Sequence, residues 1–177
     1  MGLLELFGIK GKPAEAVSSS ASETVRQITE RLDKMDPERA KYIAAFAYLL
    51  GRVANADLSI SEHETREMER IVETIAGLPE EQAILVIQIA KSQHALFGGT
   101  ENFVVTQEFN RVATRAQKLA LLNCLFAVSS SDRSISTVED NEVRKISREL
   151  RLDHSDFIAA RSAYKEHLEV LRKRPER

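Results

Sequence analysis

The sequence predicts an all-α protein of about seven helices, in two pseudo-symmetric halves with a connector helix between them and a short N-terminal segment ahead. Three observations carry that prediction. Apolar residues recur three and four apart along the chain and nowhere alternate as in a half-buried strand. Seven Gly and four Pro punctuate the 177 residues only sparsely. Finally, Val53–Glu64 (Val-Ala-Asn-Ala-Asp-Leu-Ser-Ile-Ser-Glu-His-Glu) recurs 75 residues later as Val128–Glu139 (Val-Ser-Ser-Ser-Asp-Arg-Ser-Ile-Ser-Thr-Val-Glu). Both copies hold the frame Asp-x-x-Ile-Ser-x-x-Glu, through Asp57, Ile60, Ser61 and Glu64, then Asp132, Ile135, Ser136 and Glu139. The match runs on at both sides: Phe46, Leu50 and Val53 fall opposite Leu121, Leu125 and Val128, and Glu67 and Ile71 opposite Glu142 and Ile146. An echo flanked by matching helical patterns marks two halves of similar build.

The elements follow in order. Met1–Ile9 is a short apolar piece, set off by Gly11-Lys12-Pro13 and the small residues of Ser18–Ser22; with its linker it spans residues 1–21. Two readings fit it: a segment that docks on the domain or on a symmetry mate, or a membrane-surface anchor with only Lys10 and Lys12 to meet anionic headgroups. Gly2 lacks the Ser or Thr of a myristoylation signal. The helical domain is expected over 22–172, with repeats at about 36–96 and 113–171. A first helix runs from Ser22 to Met35, with Val25, Ile28 and Leu32 on one face. Asp36-Pro37-Glu38 restarts the chain with an N-cap, a proline at the first helical position and an acid in the first turn. That second helix carries Ile43, Phe46, Leu50 and Val53 and ends near Ala56. Ser61 caps the next, which Gly77 closes. Pro79 opens another, with Ile84, Val86 and Ile87 inward, ending near His94. The turn Phe97–Asn102 is the midpoint, and Phe103–Val112 is a short extra helix. The first pattern then returns: a helix from about Thr114 to Ser131, one from Ser136 to Leu150, and one capped by Asp153 or Ser155 that runs to Leu171. Residues 173–177 form a charged tail.

Composition bounds the function classes. With 43% hydrophobic and 29% charged residues and a net charge of −2, the chain reads as an ordinary globular protein that gives no support for nucleic-acid binding. Cys124 is the single cysteine; it excludes an internal disulfide, suits a reducing cytoplasm, and sits in an apolar run as a small core residue. No secretory signal is expected at Met1–Gly11. The longest apolar runs, near Ile43–Leu50 and Leu119–Val128, reach about half the length of a spanning helix.

The repeated loops invite two chemical readings. Ser61-x-x-Glu64 and Ser136-x-x-Glu139 are capping boxes, which account for the Ser and the Glu without any ligand. They leave Asp57 and Asp132 unexplained. Ile60 and Ile135 would staple residues five on, but those are Thr65 and Asp140, so both Ile are expected to meet tertiary neighbours, with one another across a pseudo-twofold axis as one arrangement. The second reading is an oxygen-rich cation site. With Ile60 at the eighth position of a calcium loop, Asn55, Asp57, Ser59 and Glu64 take the third, fifth, seventh and twelfth. Ser130, Asp132, Ser134 and Glu139 do the same in the second copy. Val53 and Val128 stand where the first Asp belongs, and Leu58 and Arg133 where the sharp turn takes Gly.

Catalytic motifs are not met. His63-Glu64-x-x-Glu67 puts Glu67 where a zinc-protease helix needs its second His. None of His63, His94, His154 and His167 follows a Glu by three, as a di-iron bundle requires. The apolar neighbours of Cys124 exclude an electropositive nucleophile site, and no Gly-rich phosphate loop occurs. No catalytic residue is assigned, and the chain is read as non-enzymatic.

The repeated Asp-x-x-Ile-Ser-x-x-Glu, the stretch Thr106-Gln-Glu-Phe-Asn-Arg-Val-Ala, then Gln117-Lys-Leu-Ala-Leu-Leu and Leu152-Asp-His-Ser-Asp-Phe together resemble the TerB tellurite-resistance family, which is similar to the central part of DjlA-type membrane-tethered co-chaperones. The resemblance covers roughly Ala40 to Arg161. It implies an all-helical domain whose two acidic loops approach each other and hold a divalent cation, calcium by preference. By that match Asp57, Glu64, Asp132 and Glu139 are the ligand candidates, with Asn55, Glu67 and Glu142 in second rank. The family pattern has Gly directly after each Asp, where this chain has Leu58 and Arg133. The resemblance further implies a cytoplasmic stress-response setting, peripheral to the inner membrane, with protein partners in a membrane-associated complex. No His-Pro-Asp triad is present, so direct stimulation of an Hsp70 is not expected. The alternative is a metal-free helical scaffold or a dimerisation protein, pairing as a homodimer through Met1–Ile9.

Overall fold

The computed structural model describes residues 7, 19–54, 61–92, 96, 102–131 and 134–168. Among these the chain forms eight α-helices: α1 (Ser19–Asp33), α2 (Pro37–Ala54), α3 (Glu62–Ala76), α4 (Glu80–Lys91), α5 (Asn102–Val112), α6 (Arg115–Ser129), α7 (Thr137–Glu149) and α8 (His154–Ser162), followed by one 3₁₀ turn, Lys165–His167. No strand occurs among the described residues; the one β-type pairing there is a single parallel bridge between Ile135 and Leu168.

Two helices make the centre. Tyr42 through Gly51 of α2 and Cys124 through Ser129 of α6 are buried without a break. A helix that is apolar all round has no face to give to water, so others must surround it. The α2 and α6 helices pack on each other. The polar, amphipathic helices also reach across: α3, which follows α2 in sequence, packs on α6, while α7, which follows α6, packs on both α6 and α2. The closing helices stay with their own halves, α4 on α2 and α3, α8 on α6 and α7. The central and closing helices thus match between the two pseudo-symmetric halves that the 75-residue echo predicts, while α7 adds a contact with α6 that α3 does not repeat on α2. The α5 helix is the connector, laid on α2 and α7, and α1 covers α2 and α4. Rings fill both ends of the core: Tyr42 stacks on Phe109 at 5.6 Å, and Phe126 on Tyr164 at 5.9 Å. Phe7 is buried in the same core; the rest of Met1–Ile9 lies outside the described residues.

Local signals set most ends. The Asp36 carboxylate accepts from the Arg39 N–H at 3.1 Å, so the Asp-Pro restart of α2 is a real cap. Gly77 closes α3 at φ +66°, where a side chain would be strained. The α1 helix covers Ser19–Asp33 instead of Ser22–Met35, and α4 stops at Lys91 with Leu85 and Ile89 buried beside Val86 and Ile87. The larger departure is at the last helix. Expected to reach Leu171, α8 ends at Ser162, and the chain turns so that Leu168 lies against the second loop. The Ile135 N–H donates to the His167 carbonyl at 2.6 Å, and Ile135 and Leu168 are each 1% exposed. Leu168 fills an apolar slot that a straight continuation of α8 would leave open.

Candidate cation-binding face

Two of the four first-rank ligand candidates are described, Glu64 and Glu139, and they sit in near-identical surroundings. Ser61 precedes α3 with extended backbone (φ −66°, ψ 162°), and Ser136 precedes α7 at φ −65°, ψ 157°. Each Ser Oγ accepts from the backbone N–H three residues on, at 3.2 Å from Glu64 and 3.1 Å from Glu139. Each Glu returns through Oε2, which accepts from the Ser N–H at 2.8 Å in both copies. The duplicated capping boxes are therefore present in full, and each leaves one carboxylate oxygen, Oε1, outside the box. Glu64 is exposed and Glu139 half-buried. The Ser61 N–H, and then the Ser61 hydroxyl, hold the Glu64 carboxyl below its ordinary pKa, which keeps it charged.

Asp57 and Asp132, and with them Asn55, lie outside the described residues. Glu67 is half-buried on α3. Glu142, its counterpart, is drawn into an ion pair: Arg52 reaches Glu142 Oε1 with Nη2 at 2.7 Å and Nε at 2.9 Å. This contact joins the end of α2 to α7. Arg52 directly precedes Val53, where the first loop begins, and Glu142 follows Glu139 by one helical turn. The Arg52 guanidinium thus lies against the face of α7 that carries Glu142 and, two turns on, Glu149. Among the described residues no three His, Cys, Asp or Glu side chains gather closely enough to hold a metal. Calcium takes six to eight oxygens. Glu64 and Glu139 supply one spare oxygen each, and a full set would need the loop carboxylates and water.

Sequence reasoning missed the group around Arg52. Arg52 Nη1 also binds Glu149 Oε2 at 2.6 Å, Thr106 donates its hydroxyl to the same oxygen at 3.2 Å, and Asn110 Nδ2 donates to the Glu149 carbonyl at 2.9 Å. The available signal was a lone Arg closing an otherwise apolar run. Burial alone would lower the Arg52 pKa, but the hydrogen bonds to Glu149 and Glu142 more than reverse this and raise it. Also unforeseen is Asp140, buried at the start of α7, which takes a two-pronged contact from Arg161 at 2.9 Å on each oxygen. Cys124 is a core residue as read: burial pushes its thiol up to about 12, although a backbone hydrogen bond from Ala76 pulls the other way. A nucleophilic thiolate has no support there. Among the described residues no helix is long and apolar enough to cross a membrane.

The family described as "Tellurite resistance protein TerB" matches residues 42–162, from Tyr42 in the buried α2 helix to Ser162 at the end of α8. Neither a curated protein nor a solved structure matches the chain.

Proposed function

The chain belongs to the TerB family of tellurite-resistance proteins, and on that premise we propose that it is a non-enzymatic helical interaction module that binds a divalent cation weakly on one acidic face. Asp57, Glu64, Asp132 and Glu139 are the proposed ligands, and calcium the preferred ion. The observation that carries this reading is the Arg52–Glu142 pair, which joins the residue before the first loop to the first turns after the second. It supports the reading that the two acidic loops share one side of the domain. The spare Oε1 of each capping Glu supports the reading, because a carboxylate can hold its cap with one oxygen and a cation with the other. Weak affinity follows from Val53 and Val128 at the first loop positions, from Leu58 and Arg133 where the sharp turn takes Gly, and from the positive charge that Arg133 adds to the second loop. The cation would order the loops and present them to a protein partner in the cytoplasm, in the stress setting that the family name indicates.

The test is calorimetric titration with calcium and magnesium, alongside thermal melts. For a dissociation constant near 1 mM, 10 mM cation stabilises the folded chain by about 1.4 kcal/mol, a rise of about 3–6 °C. Asp57→Asn with Asp132→Asn should remove both the heat and the rise. No heat and no rise in the unaltered chain would leave a metal-free helical scaffold, whose duplicated caps serve folding alone.

A further inference from the structure

Between α1 and α4 lies an open groove of about 430 Å³ that neither the caps nor the loops account for. Two stripes of residues line it. On α4, Glu81, Ile84, Leu85 and Gln88 stand at i, i+3, i+4 and i+7, one face of the helix. Facing them, Arg31, Lys34 and Met35 repeat the three-and-four spacing where α1 ends. Met35, Ile84 and Leu85 make the apolar lining; Leu85 is buried and the other two half-buried. The volume is that of a small-molecule site, in which an apolar lining carries a few placed polar groups.

The polar groups here are arranged to donate. A guanidinium has only donors, so an amide that faces one must turn its oxygen to it. Arg39 gives Gln82 Oε1 two N–H groups, from Nε at 3.1 Å and Nη2 at 2.6 Å, and is itself laid over the Tyr42 ring at 5.1 Å. Arg31 Nη1 reaches Gln88 Oε1 at 3.4 Å. Both amide oxygens are thus occupied, and both amide NH₂ groups remain to donate to something else. Lys34 is exposed and meets no carboxylate among the described residues. Glu81 is the one acid of the lining, so Arg31 and Lys34 leave it with a formal charge of +1.

We propose that this groove binds a small carboxylate with an apolar chain, the cations and free amide N–H groups taking the head and Met35, Ile84 and Leu85 the chain. A lining of +1 is complementary to a monoanion, and so to a carboxylate before a phosphate dianion. The repeat argues against a mere requirement of the fold: 75 residues on, Gln82 and Gln88 fall opposite Phe157 and Ala163, which offer no amide. Arg31, Lys34 and Met35 also precede residue 42, where the family match begins. One wall of the groove is therefore this chain's addition to the matched stretch. This inference stands whether or not the two loops bind a cation.

Titration of the full-length chain with octanoate tests it, followed by the side-chain amide NMR signals of Gln82 and Gln88. Both signals should shift and saturate. Octanol, which has the chain without the charge, should need at least about 10-fold more ligand for the same shift. Lys34→Glu alters an exposed side chain, so it should melt within about 2 °C of the parent while octanoate binding weakens about 10-fold or more. Lys34→Arg keeps the charge and should keep the binding. Octanol matching octanoate, or a folded Lys34→Glu protein that binds octanoate as the parent does, would overturn the proposal. So would octanoate shifts confined to amides away from α1 and α4. A peptide ending in a free Leu carboxylate that bound more tightly than octanoate would give the groove to a protein chain end, and would overturn it equally.

Discussion

Leu168→Ala tests the contact that ends the last helix early. Leu168 and Ile135 are each 1% exposed, and one hydrogen bond, Ile135 N–H to the His167 carbonyl at 2.6 Å, joins their segments. Truncating a buried Leu to Ala costs about 2–5 kcal/mol when the surroundings cannot collapse. Here the loss has a ceiling, because the segment Lys165–Leu168 can let go. Full release exposes two apolar side chains at about 1.5–3 kcal/mol each and gives up about 1 kcal/mol of hydrogen bonding, some 4–7 kcal/mol together. Against this, four freed residues regain about 1–2 kcal/mol each in backbone entropy, about 4–8 kcal/mol. Leu168 is 1% exposed, so holding wins, by at most about 3 kcal/mol (about 7 less about 4), and removing most of the Leu168 side chain uses up that margin and tips the segment towards release. The expected result is a loss of about 2–3 kcal/mol in urea unfolding, at the lower end of the cavity range. The Ile135 amide should at the same time lose most of its protection against hydrogen exchange, while the amides of α2 keep theirs. A loss below about 1 kcal/mol with Ile135 protection unchanged would refute the reasoning.

Two further outcomes follow from the caps. Ser61→Ala and Ser136→Ala should each cost about 1 kcal/mol in urea unfolding, and together about 2 kcal/mol, since the boxes share no residue; a change at one site without cost would show that box to be idle. The Glu64 carboxyl has a folded pKa below the unfolded value, so its contribution to stability is complete above the ordinary 4.5 and is lost as pH falls through the depressed folded value. Glu64→Gln keeps a capping oxygen but not the charge. The gap in melting temperature between the two proteins should hold at neutral pH and close on acidification below that ordinary value; a gap independent of pH would contradict the assignment.

What could be read from the sequence was what is local. Capping boxes are encoded within four residues, so Ser61/Glu64 and Ser136/Glu139 were legible, as was the Asp36-Pro37 restart. The central helices were legible because unbroken apolar runs leave no exposed face. The end of α8 was not. Ala160, Tyr164 and Leu168 are four apart and fit a continuing helix as well as a turned segment; only the slot beside Ile135 decides, and it is formed by residues far away in sequence. The same slot explains where Ile135 goes, since neither a local staple nor its own helix offered it a partner. Arg52 was invisible for a related reason: its partners lie 90 and 97 residues on, and nothing near Arg52 in the chain points to them. The repeat placed Glu142 among the acids of interest without revealing its counter-charge, because Arg52 has no basic counterpart 75 residues on, where Ala127 stands.

The central claim is that the two acidic loops belong to one face. Manganese titration followed by amide NMR tests it most directly, because a bound paramagnetic ion broadens every amide near it. The account predicts that the resonances of Asp57 and Asp132, with those of Glu64 and Glu139, broaden together at the same low manganese concentration, and that Asp57→Asn with Asp132→Asn removes the effect at all four. Broadening at one loop while the other stays sharp, or broadening centred on unrelated surface carboxylates such as Glu80 and Glu81, would contradict it.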